Sequence, residues 1–135
     1  MTEADAVAVA QADGYLGGYV RGFGTRAGDW GLIASIDDET VGAAWLRLDD
    51  GQRGPHAVAT ASEPELAIGA KPAVRGKGIG SKLLAKLLAE APFPAVVLSV
   101  RSTNPSVRLY ERHGFKEIRR VVNRVGGDSL VMRFG

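Results

Sequence analysis

No cysteine occurs anywhere in the 135 residues. Its absence excludes disulfides, thiolate metal sites and covalent catalysis through sulfur, and leaves the chain indifferent to the redox state of its compartment. Histidine is nearly as scarce, with only His56 and His113, far apart in the chain, so no metal site is expected. No apolar run reaches the roughly 18 residues of a membrane-spanning helix, so no membrane partner is expected. The chain opens Met1-Thr2-Glu3-Ala4-Asp5, acidic where a secretory leader would be basic, and a cytoplasmic location is expected. Net charge is also small: 17 basic and 15 acidic residues leave +2, which argues against a nucleic-acid-binding surface. A local basic site for an anionic ligand remains compatible with that balance.

What is present fits one globular domain spanning residues 1–135, with 45% hydrophobic and 24% charged residues. Residues 11–24 space Tyr15, Leu16, Tyr19, Val20 and Phe23 along one helical face, although Gly14, Gly17 and Gly18 weaken that helix. Leu32–Ile36 and Val41–Leu48 read as a hairpin turning at residues 37–40. A polar stretch from Asp49 to Ser62 reads as a long loop, and Glu65–Ala70 as a third strand. Ile79, Leu83, Leu84, Leu87, Leu88 and Ala91 form the apolar stripe of the clearest helix, which Pro92 and Pro94 end. The unbroken apolar run Ala95–Val100 predicts a strand covered on both faces. A short helix over Pro105–His113, then strands near 116–122 and 129–134 about a Gly126-Gly127 turn, complete the chain. Among the acids, Asp29, Asp37, Asp38, Glu39, Asp49 and Asp50 read as solvated turn residues; Trp30 and Trp45 read as core.

The sharpest local signal is Arg75-Gly76-Lys77-Gly78-Ile79-Gly80-Ser81, set between a strand and an amphipathic helix. Alternating glycines let the backbone turn tightly and present successive N–H groups, and the helix N-terminus adds partial positive charge. The pattern predicts an anion cradle, with Arg75 and Lys77 adding full charges. It is not a Walker loop, because no register supplies Gly-Lys-Ser/Thr after four residues. Nor is it the dinucleotide fingerprint, because Ser81 stands where its third glycine or alanine belongs. Gly22-Phe23-Gly24-Thr25-Arg26-Ala27 matches that fingerprint literally, but in the reverse order of helix and strand.

Arg75, Gly78 and Gly80 resemble the acyl-CoA-binding signature of the GNAT N-acetyltransferase superfamily, Arg/Gln-x-x-Gly-x-Gly/Ala. One helix and one strand later, Asn104-Pro105-Ser106-Val107-Arg108-Leu109-Tyr110-Glu111-Arg112-His113-Gly114-Phe115 resembles the family's second segment, an Asn followed by Tyr and Gly-Phe. The resemblance implies an α/β fold whose mixed, mostly antiparallel sheet splays at its central strands and is flanked by helices. It implies acetyl-CoA as cosubstrate, no metal, and a small-molecule or peptide amine as acceptor. Main-chain groups of Ile68, Gly69 and Ala70 would pair with the pantetheine arm, a backbone N–H near Ile68 polarising the thioester carbonyl. Amides from Gly76 to Ser81 would hold the pyrophosphate. Asn104 would contact cofactor, cap the short helix, or both. Tyr110 would protonate the leaving thiolate, and Glu65, with Glu63 beside it on the same strand face, would take the amine proton.

The family carries a strand and two helices before the hairpin, whereas this chain's hairpin begins near residue 32. Either Ala6–Ala10 supplies a poor first strand, or a strand and helix are missing from a shortened N-terminus; a homodimer is one way to cover such an edge. A non-catalytic CoA-binding sensor or regulatory module is the alternative function the same cradle would serve. A purely structural module would not bind CoA at all.

Overall fold

The computed structural model describes residues 29–36, 39–49, 58–60, 62–71, 76, 78–122 and 126–135. The helix expected over 11–24, the glycine pattern at 22–27, the question of a first strand, most of the 49–62 loop, and Arg75 and Lys77 lie outside the described residues. Among the described residues eight elements follow in order: β1 (Trp30–Ile36), β2 (Glu39–Arg47), β3 (Glu65–Ala70), α1 (Ile79–Glu90), β4 (Val96–Arg101), α2 (Ser106–Arg112), β5 (Lys116–Val122) and β6 (Asp128–Phe134). The strands run β1-β2-β3-β4-β6-β5 in one open sheet. β3 and β4 pair in parallel, through Glu65 and Val97; β1–β2, β4–β6 and β5–β6 are antiparallel. This is the mixed, mostly antiparallel α/β sheet that the sequence predicts. No helix among the described residues is long and apolar enough to cross a membrane.

Contacts divide the chain into two units, and the division falls inside β3. The first unit takes the residues up to Arg47 together with Leu66–Pro92. Within it, β2 is buried from Val41 through Arg47, and α1 lies against β1 and β2. Trp45, Leu46, Leu84 and Leu87 are fully enclosed there, so Trp45 is core as expected, while Trp30 is half-buried. The helix buries Leu83, Leu84 and Leu87, leaving Lys82, Lys86 and Glu90 exposed. It stops because Ala91, preceding Pro92, is held extended by that proline.

Arg47 closes β2, and its guanidinium meets Asp29 at two points: Nε to Oδ1 at 3.1 Å and Nη2 to Oδ2 at 3.3 Å. Asp29 is therefore not the solvated turn acid that its sequence context suggests; its side chain is 3% exposed. An arginine ending an apolar strand needs a carboxylate partner if its charge is to be buried, and the planar fork of Arg suits a two-point contact.

The second unit takes Leu48–Glu65 and Phe93–Gly135. Its core is Ala95–Leu98 and Val100 of the β4 segment, Leu130–Met132 of β6, and the aromatic pair Tyr110 and Phe115. At its edge the ends of the long loop meet through backbone bonds from Asp49 N–H to Thr60 O and from Thr60 N–H to Glu63 O, each 3.0 Å.

Candidate active site

In the first unit, the glycine-rich turn enters α1 through Gly78, whose φ of 78° lies in the left-handed region; Gly76, at φ 84°, does the same two residues earlier. Side chains rarely adopt that conformation, and among the described residues nothing beyond the chain neighbours lies within 4 Å of where a Cβ would stand at either glycine. Lys82 N–H donates to Gly78 O at 3.1 Å, and the N–H groups of Ile79 and Gly80 stand at the head of the helix. No side chain caps the helix and its first turn holds no acidic residue. A bare, left-handed glycine lead-in to a helix N-terminus fits an anion such as a pyrophosphate in charge and in room. Ile68, Gly69 and Ala70 precede this turn as the half-buried end of β3.

The second unit places Glu65, Asn104 and Tyr110. Glu65 is not the solvated strand end that sequence alone allows: it is 5% exposed and pairs with Val97 across the parallel strands. Glu63, two residues earlier, is held by Arg133 through Nε–Oε1 and Nη2–Oε2 contacts of 3.0 Å each. Hydrogen bonding to that guanidinium, with its charge, holds the Glu63 carboxyl below its usual pKa, which makes it a poor proton acceptor.

A depressed folded-state pKa contributes stability that is full above the unfolded carboxylate value of about 4.3 and is lost as pH falls through the folded value. Glu63→Gln is therefore expected to melt below the wild type at neutral pH, with the gap closing on acidification. Thermal melts across pH test this, and a gap of constant size would refute it.

Asn104 caps α2, but from one position further out than the sequence suggests. Pro105 holds the N-cap position, and Asn104 Oδ1 accepts from Ser106 N–H at 2.8 Å. Tyr110 is 8% exposed, its ring edge-on to Phe115 with centroids 5.8 Å apart. The Gly114-Phe115 pair thus builds the wall behind the tyrosine.

Two features have no counterpart in the sequence reading. The Glu63–Arg133 clamp joins residues 70 positions apart, which no local pattern reveals. Gly42 lies between buried neighbours in β2, and the close approach of Ile79 and Leu83 of α1 and of the Gly69 carbonyl explains the missing side chain. An isolated glycine inside an apolar strand was the available signal. No group of three or more His, Asp or Glu side chains able to hold a metal occurs among the described residues.

A family model described as an acetyltransferase (GNAT) domain matches residues 4–117. Solved structures of similar fold include an acetyltransferase-like protein from Salmonella typhimurium, determined with its cofactor acetyl-CoA. It is 22% identical with a TM-score of 0.74, covering 99% of this chain and 90% of that one. The ribosomal-protein-S18-alanine N-acetyltransferase from Escherichia coli is 19% identical with a TM-score of 0.74, over 98% and 86% of the two chains. A chimera built on the Vibrio cholerae spermidine N-acetyltransferase is 20% identical with a TM-score of 0.66, over 90% and 75%. No curated protein sequence matches. The open mixed sheet and glycine-led helix are those of an acetyltransferase domain. The chain belongs to the acetyltransferase (GNAT) family.

Proposed function

We propose that the chain passes the acetyl group of acetyl-CoA to a primary amine by direct attack, both substrates being bound together. The observation that carries this reading is the left-handed Gly78 at the head of α1, with no acid in the first turn and open space beside it. Backbone N–H groups of residues 76–81, with Arg75 and Lys77, would hold the pyrophosphate, and main-chain groups of Ile68–Ala70 the pantetheine arm.

The chemistry needs a neutral amine, whereas an alkylamine has a pKa near 10. Glu65 takes the first proton from the ammonium and leaves a neutral amine, whose nitrogen attacks the thioester carbonyl and forms the N–C bond. The C–S bond breaks and the Tyr110 hydroxyl protonates the departing sulfur; the nitrogen's second proton returns through water to Tyr110, and the proton on Glu65 passes to solvent. Neighbours named for a protein alanine and for spermidine both act on amines, which supports an amine acceptor, small or peptidic, for this chain.

Titration of acetyl-CoA by calorimetry tests the cofactor half of the reading: saturable binding supports it and silence overturns it. The base is tested by Glu65→Gln. Activity is expected to fall by about 10²-fold at neutral pH and by progressively less toward about pH 10, where the amine deprotonates unaided. A loss independent of pH would remove Glu65 from that role.

A further inference from the structure

The glycine-rich turn is anchored at both ends on one short stretch of β2. At its leading end, Lys71 N–H donates to the Val41 carbonyl at 2.7 Å, and the Lys71 ammonium meets Glu39 Oε1 at 3.0 Å. At its trailing end, Ile79, the first residue of α1, stands over Gly42. A Cβ on Gly42 would lie 3.0 Å from Ile79 Cγ2, 3.2 Å from Leu83 Cδ1 and 3.2 Å from the Gly69 carbonyl oxygen. Carbon atoms in contact settle at about 3.5–4.0 Å, so a methyl group there must push something aside.

What yields is decided by what is fixed. Leu84 and Leu87 are wholly buried, so the body of α1 is locked onto the sheet. Ile79 and Gly80 are only half-buried, and the first turn is the part free to lift. Glycine is required at 42 for room rather than for a left-handed backbone: Gly42 has no positive φ, and it pairs with Ala34 beside the register shift that leaves Val41 unmatched.

We infer that Gly42, which touches no substrate, is a positioning residue for the anion cradle. Its missing side chain sets how closely the first turn of α1 seats on β2, and hence where the N–H groups of residues 79–81 point. This rests on the reading that those groups hold the pyrophosphate of acetyl-CoA. Binding groups must be held within about 0.5 Å of their working positions, and the displacement a methyl would impose is of that size.

The test compares wild type, Gly42→Ala, Ile79→Ala and Gly42→Ala/Ile79→Ala. Affinity is measured by calorimetry for two probes, acetyl-CoA and 3′-phosphoadenosine 5′-diphosphate, with melting temperature recorded alongside. Ile79→Ala keeps the backbone N–H and removes the Cγ2 atom in closest contact. Gly42→Ala is expected to weaken both probes by the same factor, on the order of tenfold, well below its melting temperature. The double variant is expected to recover to within about threefold of Ile79→Ala alone.

A glycine with a merely structural role would lower the melting temperature and leave both affinities unchanged, which would overturn the inference. Additive losses in the double variant would overturn it as well. Should Gly42→Ala fail to fold, the double variant decides: folding with affinities near those of Ile79→Ala supports the seat, and an unfolded or tenfold weaker protein refutes it. Wild type that binds neither probe would instead overturn the parent reading, a result distinct from any of these.

Discussion

Gly78→Asp is expected to lose acetyl-CoA binding by more than about 100-fold, equivalent to about 2.7 kcal/mol. Two properties of the site produce this result. The φ of 78° at Gly78 is one that Asp and Asn tolerate better than other side chains, and open space surrounds the position, so the variant should fold. The added carboxylate then stands where the helix start and its N–H groups offer partial positive charge to an anion, and it reverses the sign of the site. Gly78→Asn separates charge from backbone: it bears the same left-handed cost of about 1 kcal/mol but carries no charge, and should bind within about tenfold of wild type. Calorimetry on both variants checks the pair. A folded Gly78→Asp with unchanged affinity would remove the pyrophosphate from this turn.

Tyr110→Phe is expected to lower kcat by about 10²–10⁴-fold while leaving acetyl-CoA affinity near that of wild type. Loss toward the lower end of that range is consistent with a thiolate leaving group that departs readily. The ring packs edge-on against Phe115 at 5.8 Å and the residue is buried, so removing the hydroxyl alone keeps the packing. An unperturbed phenol has a pKa near 10 and holds its proton at neutral pH, as a general acid must. Single-turnover rates beside binding isotherms separate the outcomes. An equal fall in affinity would make Tyr110 a cofactor wall, and no change in either quantity would leave it a core aromatic.

The parts of the fold that the sequence made legible are those governed by local pattern. Glu65–Ala70 and Lys116–Val122 begin and end where alternation and turn residues place them, and α1 runs from the glycine turn to the proline that stops it. β2 extends two residues earlier than its apolar run, because Glu39 and Thr40 continue the pairing with β1 without contributing to the core. The tight glycine turn into α1 was equally legible, since positive φ and helix entry both follow from glycine spacing.

Long-range pairing was not legible. Asp29 carries the local marks of a turn acid, and its partner Arg47 lies 18 residues on. Sequence placed Glu63 beside Glu65 as its same-face neighbour; the residue that holds Glu63, Arg133, comes from the far end of the chain. The strand glycine at position 42 carried a signal of close approach, but what approaches it belongs to a helix 37 residues later, beginning at Ile79.

Incubation with acetyl-CoA and a panel of primary amines, reading free CoA thiol and acetylated amine together, tests the central claim most directly. The panel spans a polyamine, a lysine-containing peptide and a peptide with a free N-terminal alanine. The account predicts thiol release that requires an amine, is matched one-for-one by acetylated product, and is abolished in Gly78→Asp. Saturable acetyl-CoA binding with no thiol release above the amine-free rate for any acceptor would contradict it, and would make the chain a CoA-binding module rather than a transferase.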